Sequence, residues 1–263
     1  MFKRELKVNL KSFCLWTIIT MLLFLVVFLV YPSIINGPEA ESLNEMMKVF
    51  PEEILKAFNM DISSIDSAYG WLKSEGFVFI LLIIGCYAGI SGSNILLKEE
   101  NDKTIEYLGV MPIKRTSMVL AKSFVGIIYI IGFTVLLGIF NFIGLELSGD
   151  FDRKQYIFLS LTPILSAIPV FFICMFLSTF TNKTKKMLGI SLGIVLLSYV
   201  FYTLAYLSEN IEFLKYFSVF TLSDIRNVII NVSFNAGIIA ISVLISIVFL
   251  FLTLVRYHKK EFV

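Results

Sequence analysis

The chain has 263 residues, a formal net charge of +2 and a mean hydropathy of +0.86. Such an apolar composition is atypical of soluble domains and typical of membrane proteins. The near-zero net charge gives no reason to expect a nucleic acid as a partner.

Six apolar runs are each long enough to cross a bilayer as a helix, which takes about 20 residues. Backbone polar groups in lipid must be satisfied within the segment, so each run is expected to be helical. The sequence therefore predicts an all-α membrane protein, with residues 1–263 forming one transmembrane domain. In chain order, spans one to six are Phe13–Ile35, Phe77–Leu97, Met118–Leu145, Tyr156–Phe180, Met187–Leu207 and Val232–Val255.

Residues 1–12 place apolar side chains at helical spacing with lysines on the opposite side. This pattern predicts a short interfacial helix before span one, with an ordinary charged flank as the alternative. Span one is longer than the apolar core of a signal peptide and is not followed by a small-residue cleavage site, so we expect it to be retained.

Residues 36–74 form the longest loop, in which short apolar repeats follow Gly37-Pro38. We expect this loop to form a small helical cap on the extracellular side, because so short a segment cannot bury a core of its own.

Basic residues alternate along the chain in a way that predicts orientation. They are dense at both termini, between spans two and three, and between spans four and five, and they are sparser elsewhere. By the positive-inside rule, both termini are predicted to lie in the cytoplasm. We expect the membrane to be the plasma membrane of the cell. The dense groups are Lys3, Arg4, Lys7, Lys11; Lys98, Lys103, Lys114, Arg115, Lys122; Lys183, Lys185, Lys186; and Arg256, Lys259, Lys260.

Small residues recur four apart in two spans, a spacing that lets membrane helices approach closely. They are Gly85, Gly89 and Ser93 in span two, and Gly189 and Gly193 in span five. Pro163 and Pro169 are expected to kink or loosen span four.

Ionisable groups are missing from the depths of the spans. The exception is Lys122, near the inner end of span three, where we expect its ammonium group to snorkel to the membrane surface. A transporter driven by an ion gradient usually keeps ionisable groups at depth, so this pattern disfavours that class.

Signatures of catalysis are also missing. The sequence has no GxxxxGK[ST], HExxH, GxSxG or CxxC motif, and His258 is its single histidine. Cys14, Cys86 and Cys174 lie in three different spans and suggest no metal site. The sequence therefore predicts that this chain has no catalytic site and binds no metal or cofactor.

Residues 98–115 combine charge with helix signals. Glu99 to Leu108 suit a short helix, Gly109 supplies a stop, and Pro112 breaks the chain before the next span. The alternative is a plain cytoplasmic connection whose charges keep it solvated.

The stretch EENDKTIEYLGVMPIKRTSMVLAK resembles the first cytoplasmic loop of type-2 ATP-binding-cassette (ABC) exporter permeases. Gly109, Val110 and Met111 depart from the family's usual Leu-rich or Ser/Thr-containing tripeptide. The interrupted segment 208–230 is similar to a re-entrant or interfacial element that this family often has at its outer side. The matching loop residues are Glu99, Glu100, Lys103, Thr104, Ile105, Glu106, Leu108, Pro112, Arg115 and Lys122.

The resemblance implies a division of labour. Two copies of a separate cytoplasmic P-loop ATPase would hold ATP and Mg, and a coupling helix around Asp102–Leu108 would dock on them. A second permease copy, identical or paralogous, would complete a pathway lined in part by spans two and five. No charged cavity is evident from the sequence, so an apolar or amphipathic cargo is expected: a peptide, an antimicrobial, a drug or a lipid-like molecule.

Three alternatives remain open at this point. One is a gradient-driven transporter or channel. Another is an intramembrane enzyme built on the polar cluster Ser91, Ser93 and Asn94. The third is a sensory or structural subunit that transports nothing.

Overall fold

The computed structural model describes residues 2–35, 67–101, 114–207 and 209–260. These residues form helices joined by short connections, with no strand among them. The α-helices are α1 (Phe2–Ile35), α2 (Ala68–Trp71), α3 (Phe77–Asn101), α4 (Arg115–Ser148), α5 (Arg153–Leu161), α6 (Ile164–Ser178), α7 (Thr184–Ala205), α8 (Ile225–Asn231) and α9 (Ala236–Lys259).

Within these described ranges, six helical units are long and apolar enough to cross a membrane. The prediction of an all-α membrane protein with six spans is therefore confirmed. Span one is α1, span two is α2 and α3, span three is α4, span four is α5 and α6, span five is α7, and span six is α9.

Span one is a single helix that begins at Phe2. The predicted interfacial helix over residues 1–12 is therefore not a separate element. The reason lies in the sequence, because no glycine or proline between residues 2 and 31 interrupts the helix.

Most of the predicted extracellular cap, residues 36–66, lies outside the described residues. Its last part begins span two, where the Ser67 hydroxyl accepts a hydrogen bond from the Gly70 amide at 3.0 Å.

Span four is broken at Pro163, between α5 and α6. Pro169, inside α6, has no amide hydrogen to offer the Leu165 carbonyl one turn earlier. The Ser242 hydroxyl of span six donates to that carbonyl at 2.7 Å. A proline in span four is thus matched by a serine in span six, which fastens the two spans together.

Residues 209–231 form two 3₁₀ helices, Glu209–Phe217 and Val219–Ser223, followed by α8. Phe220 is fully buried and lies against Gly85, which is eight residues, or about 12 Å, along α3. The Ser223 hydroxyl donates to the Thr162 carbonyl at 2.9 Å, beside the break in span four. This interrupted segment therefore enters the bundle and packs between spans two, four and five.

Span two lies at the centre of the bundle. Of its most apolar stretch, 61% of the residues are buried, against 17% in spans one and six. The outer spans direct leucine, isoleucine and valine side chains away from the bundle, toward the place that lipid would occupy.

Candidate functional site at the basic end of the bundle

Lys122 is buried at the end of the bundle that carries Lys98, Arg115 and Lys259, called the basic end below. Its Nζ atom lies 2.8 Å from Glu99 Oε2 and 3.1 Å from Glu5 Oε2. The same ammonium group donates to the Ile95 carbonyl at 2.8 Å. Only 1% of the lysine is exposed, so the expectation that it snorkels to the surface is wrong. An ammonium group has three N–H bonds, and three oxygens surround it here.

The cluster of Lys122, Glu5 and Glu99, called the triad, joins three helices. Glu5 belongs to α1, Glu99 to the end of α3 and Lys122 to α4. Both carboxylates are less than a tenth exposed, and carboxylates are rarely buried unless paired. Removing one partner from such a buried pair is costly, about 3–5 kcal/mol, because it leaves a charge without compensation. The triad therefore fixes the start of span one against spans two and three.

Arg115, at the start of span three, binds the end of span six. Its Nη1 atom donates to the Lys260 carbonyl at 2.8 Å and to the His258 carbonyl at 3.1 Å. The last carbonyls of a helix lack partners within the helix and carry partial negative charge, so a guanidinium group suits this position.

Span six is tied in turn to the connection between spans four and five. The Arg256 guanidinium lies 4.7 Å from the centre of the Phe180 ring. The Lys260 ammonium donates to the Thr181 carbonyl at 3.4 Å. Every span thus has a side-chain contact or a short connection that links it to a neighbour at the basic end.

We expect Arg115→Gln to loosen the last turn of span six. Hydrogen bonds from a charged donor contribute about 1.5–3 kcal/mol, so amide hydrogen exchange near Tyr257 should accelerate about tenfold or more. Mass spectrometry of exchanged peptides measures this rate. Arg153→Gln is the control, because its ion pair with Glu146 is largely exposed and such pairs contribute little. Equal exchange in both variants would show that the contact of Arg115 with the end of span six, called the brace below, does not stabilise that end.

A comparison with family models identifies the chain. The model for the ABC-2 family transporter protein matches residues 1–262. The chain belongs to the ABC-2 transporter family. The resemblance to type-2 ABC permeases is thereby confirmed, and membership makes the chain a transmembrane permease subunit whose family associates with an ATPase subunit. No curated protein and no solved structure matches it.

Two of the predicted coupling residues of this ABC-2 permease have described side chains. Glu99 belongs to the triad and Arg115 to the brace on span six. Glu100 lies in α3, but its side chain is outside the description. The remaining predicted coupling residues lie outside the described residues: Asp102, Lys103, Thr104, Ile105, Glu106, Leu108 and Pro112.

The predicted small residues of span two lie at helix contacts. A Cβ atom added to Gly85 would lie 2.8 Å from Phe220 Cζ, and one added to Gly89 would lie 3.4 Å from a Val195 methyl group. Ser93 is fully buried. These positions allow the segment after span five, and span five itself, to approach span two closely.

The small residues predicted in span five do not face span two. A Cβ atom added to Gly189 or Gly193 would meet no atom of the described residues within 4 Å. Span five instead turns Ser191 and Val195 toward Gly89. The structure therefore does not bring the two glycine pairs together within one chain, and a role for Gly189 and Gly193 in the pathway stays a prediction.

Sequence reasoning missed three residues at this site. Gly92 and Gly126 both lie against Phe171 of span four, and Glu5 belongs to the triad. Gly92 lies one turn after Gly89 and two turns after Gly85 on the same helix face. A search for glycines four apart overlooks this signal. Glu5 is the single acid among the basic residues 3–11.

Proposed function

We propose that this chain is the permease subunit of an ATP-driven exporter in the plasma membrane, with its basic end on the cytoplasmic side. Two permease copies and two ATPase subunits would form the complex. The ATPase binds and hydrolyses ATP with Mg, and the permease passes an amphipathic cargo outward. The observation that carries this proposal is that both ends of the loop between spans two and three are anchored: Glu99 in the triad and Arg115 on span six.

Because both ends of the loop are anchored, a force on the loop would be passed to the spans. A force applied to residues 102–113 would bend a loosely attached loop without moving the spans. With Glu99 tied to spans one and three, and Arg115 tied to span six, the same force moves these helices together. Closure of an ATPase dimer would in this way favour one of two packed arrangements of the bundle.

A gradient-driven transporter is the second candidate, because the triad is a buried titratable cluster with two carboxylates and one ammonium group. Its position argues against ion coupling across the membrane. Glu99 lies two residues before the end of α3 at Asn101, about 3 Å along the helix axis. A coupling site for a gradient would be expected nearer the bilayer midplane.

The test is to isolate the tagged permease with its ATPase subunit from native membranes and to compare Thr104→Arg and Glu106→Lys with the unchanged chain. We expect each variant to insert normally but to lose association with the ATPase by about tenfold or more, since an unpaired or like-charge contact across an interface costs several kcal/mol. Affinity between the purified subunits and permease-dependent ATP hydrolysis are the measurements.

Asp150→Lys is the matched charge reversal, placed in the exposed connection between spans three and four. It should leave association and hydrolysis unchanged. If both loop variants associated normally with the ATPase, the assignment of the loop as the coupling element would be contradicted. Cargo movement driven by a proton gradient in permease vesicles free of ATPase would favour the second candidate instead.

A further inference from the structure

A cavity of about 760 Å³ opens at the basic end, between spans one, two and three and the start of span five. Its volume lies within the range of small-molecule sites, about 300–1,000 Å³. No charged cavity is evident from the sequence, but the structure has one. Lys98, Lys183 and Lys185 line the cavity, because the connection between spans four and five folds over the ends of the other helices.

The mouth of this cavity is positively charged. Its three lysines are exposed, and no carboxylate is found among the described residues that line the cavity with them. Among the described residues, none of the three has an acidic partner. In the described part of the chain, the acids that line the neighbouring cavity are Glu5 and Glu99, which belong to the triad and face Lys122. The mouth therefore attracts an anionic group.

A second cavity of about 430 Å³ shares Lys98 and Ile95 with the first. Arg4, Lys7 and Lys11 line it together with Lys98 and the triad. Five basic side chains therefore outnumber two carboxylates there, and the positive surface extends along span one. The basic end thus offers an approach path for an anion as well as a binding point.

The interior of the larger cavity differs from its mouth. From Lys98 at the mouth to Tyr87 at the far end is eleven residues of α3, or about 16 Å. Ile90, Ile95 and Gly126 supply apolar wall between these levels. An apolar chain of that length would lie against these side chains and lose part of its contact with water.

One polar atom in the wall has no partner. Asn94 Oδ1 is buried, and it makes no hydrogen bond within the described part of the chain. Asn94 lines the cavity four residues, or about 6 Å, below Lys98. A buried amide oxygen without a donor is unfavourable, so a ligand with an N–H or O–H group at this level would be favoured over one without.

We propose that this cavity binds an anionic amphiphile, with its charged group between Lys98, Lys183 and Lys185 and its apolar chain directed toward Tyr87. A hydrogen-bond donor a few atoms from the charge would satisfy Asn94. A folded protein partner cannot reach the level of Tyr87, so the cavity favours a small molecule over a macromolecule. The view that this ligand is cargo rests on the proposed transport function, whereas its binding does not.

The test uses 11-(dansylamino)undecanoate, an anionic amphiphile whose dansyl group accepts energy from tryptophan, and its methyl ester. The full chain is placed in nanodiscs of neutral phosphatidylcholine. The chain has two tryptophans, and Trp71→Phe leaves Trp16, whose ring centre lies 6.0 Å from that of Tyr87. We expect saturable energy transfer from Trp16 to the bound dansyl group, with the ester binding about tenfold more weakly or worse.

The combined variant Lys98→Gln, Lys183→Gln and Lys185→Gln should weaken binding of the anion about tenfold or more and leave the ester unchanged. Asn94→Leu should leave both probes unchanged, because the single N–H group of each lies at the dansyl end, far from the level of Asn94. Lys186→Gln is the matched control, since Lys186 is exposed but does not line the cavity. Absence of saturable transfer, equal binding of acid and ester, or an undiminished affinity in the triple variant would each overturn the proposal.

Two further measurements identify where the natural ligand comes from and whether it is transported. Competition by phosphatidylglycerol in the nanodisc would identify an anionic lipid as the occupant, and its absence would identify a soluble amphiphile. ATP-dependent release of the probe in the complex with the ATPase would identify cargo. If the chain fails to bind the probe but still stimulates its ATPase, this inference alone is contradicted. If the chain binds the probe but has no ATPase partner, the proposed function alone is contradicted.

Discussion

Replacing Lys122 with methionine is expected to destabilise the bundle by about 3–5 kcal/mol, because Glu5 and Glu99 remain buried without their cation. Methionine keeps the length and much of the volume of the lysine stem, so the loss reports the charge more than the packing. For a chain of this size the corresponding drop in melting temperature is on the order of 10 °C. Thermal unfolding in detergent, followed by tryptophan fluorescence, measures it.

Lys154→Met is the control for the loss of a lysine as such. Lys154 is exposed at the other end of the bundle, and its replacement should change the melting temperature by no more than about 2 °C, since surface substitutions usually stay within about 0.5 kcal/mol. A Lys122→Met protein as stable as the Lys154→Met protein would show that the triad does not hold the helices together.

A combined variant distinguishes a role of the triad in stability from a role in transmitting force from the loop to the spans. Glu5→Gln and Glu99→Gln, added to Lys122→Met, remove every charge of the triad, and apolar or neutral replacements of whole buried ion clusters are often tolerated. We expect this variant to regain most of the melting temperature. If it still fails to stimulate the ATPase, the ionic link transmits force from the loop. If stimulation returns with stability, the triad is a structural clamp only.

The six spans could be predicted from the sequence because lipid imposes one strong rule. A segment that crosses the membrane must be long, apolar and helical, and each run shows this by itself, without reference to any other part of the chain. The break in span four could be predicted for the same reason, since Pro163 acts on its own backbone.

The triad could not be predicted in this way. Whether a lysine near a helix end snorkels or stays buried depends on acceptors that lie elsewhere in the sequence, and Glu5 is separated from Lys122 by 117 positions. The charge pattern near residue 5 reads as a basic flank, which suits a membrane surface equally well. Only the packing of spans one, two and three brings the two carboxylates to the same ammonium group.

The same limit applies to the glycine pairs. Spacing shows that two small residues share a helix face, but it does not show which neighbour that face meets. Gly85 and Gly89 face other helices, whereas Gly189 and Gly193 face away from the chain that contains them. A second permease copy would be a suitable neighbour for that open face, as the predicted dimer requires.

Gly92→Ala and Gly189→Ala make the same chemical change in two central spans and are expected to have opposite effects. In a helix, alanine is favoured over glycine by about 1 kcal/mol. At Gly189 the added methyl group meets nothing within 4 Å, so the variant keeps that gain or stays neutral. At Gly92 the methyl carbon would lie 2.2 Å from the backbone oxygen of Phe171, a distance at which spans two and four must separate.

Separation at Gly92 is costly because the obstacle is main chain, which cannot rotate away as a side chain can. Overpacking of a close contact usually costs about 1–3 kcal/mol, and here it would push α3 away from α6 along the centre of the bundle. Unfolding in detergent should therefore show Gly92→Ala below the unchanged protein and Gly189→Ala at or above it. A Gly92→Ala protein that matches Gly189→Ala in stability would mean that spans two and four do not approach through this glycine, and the arrangement of the bundle around Phe171 would have to be different.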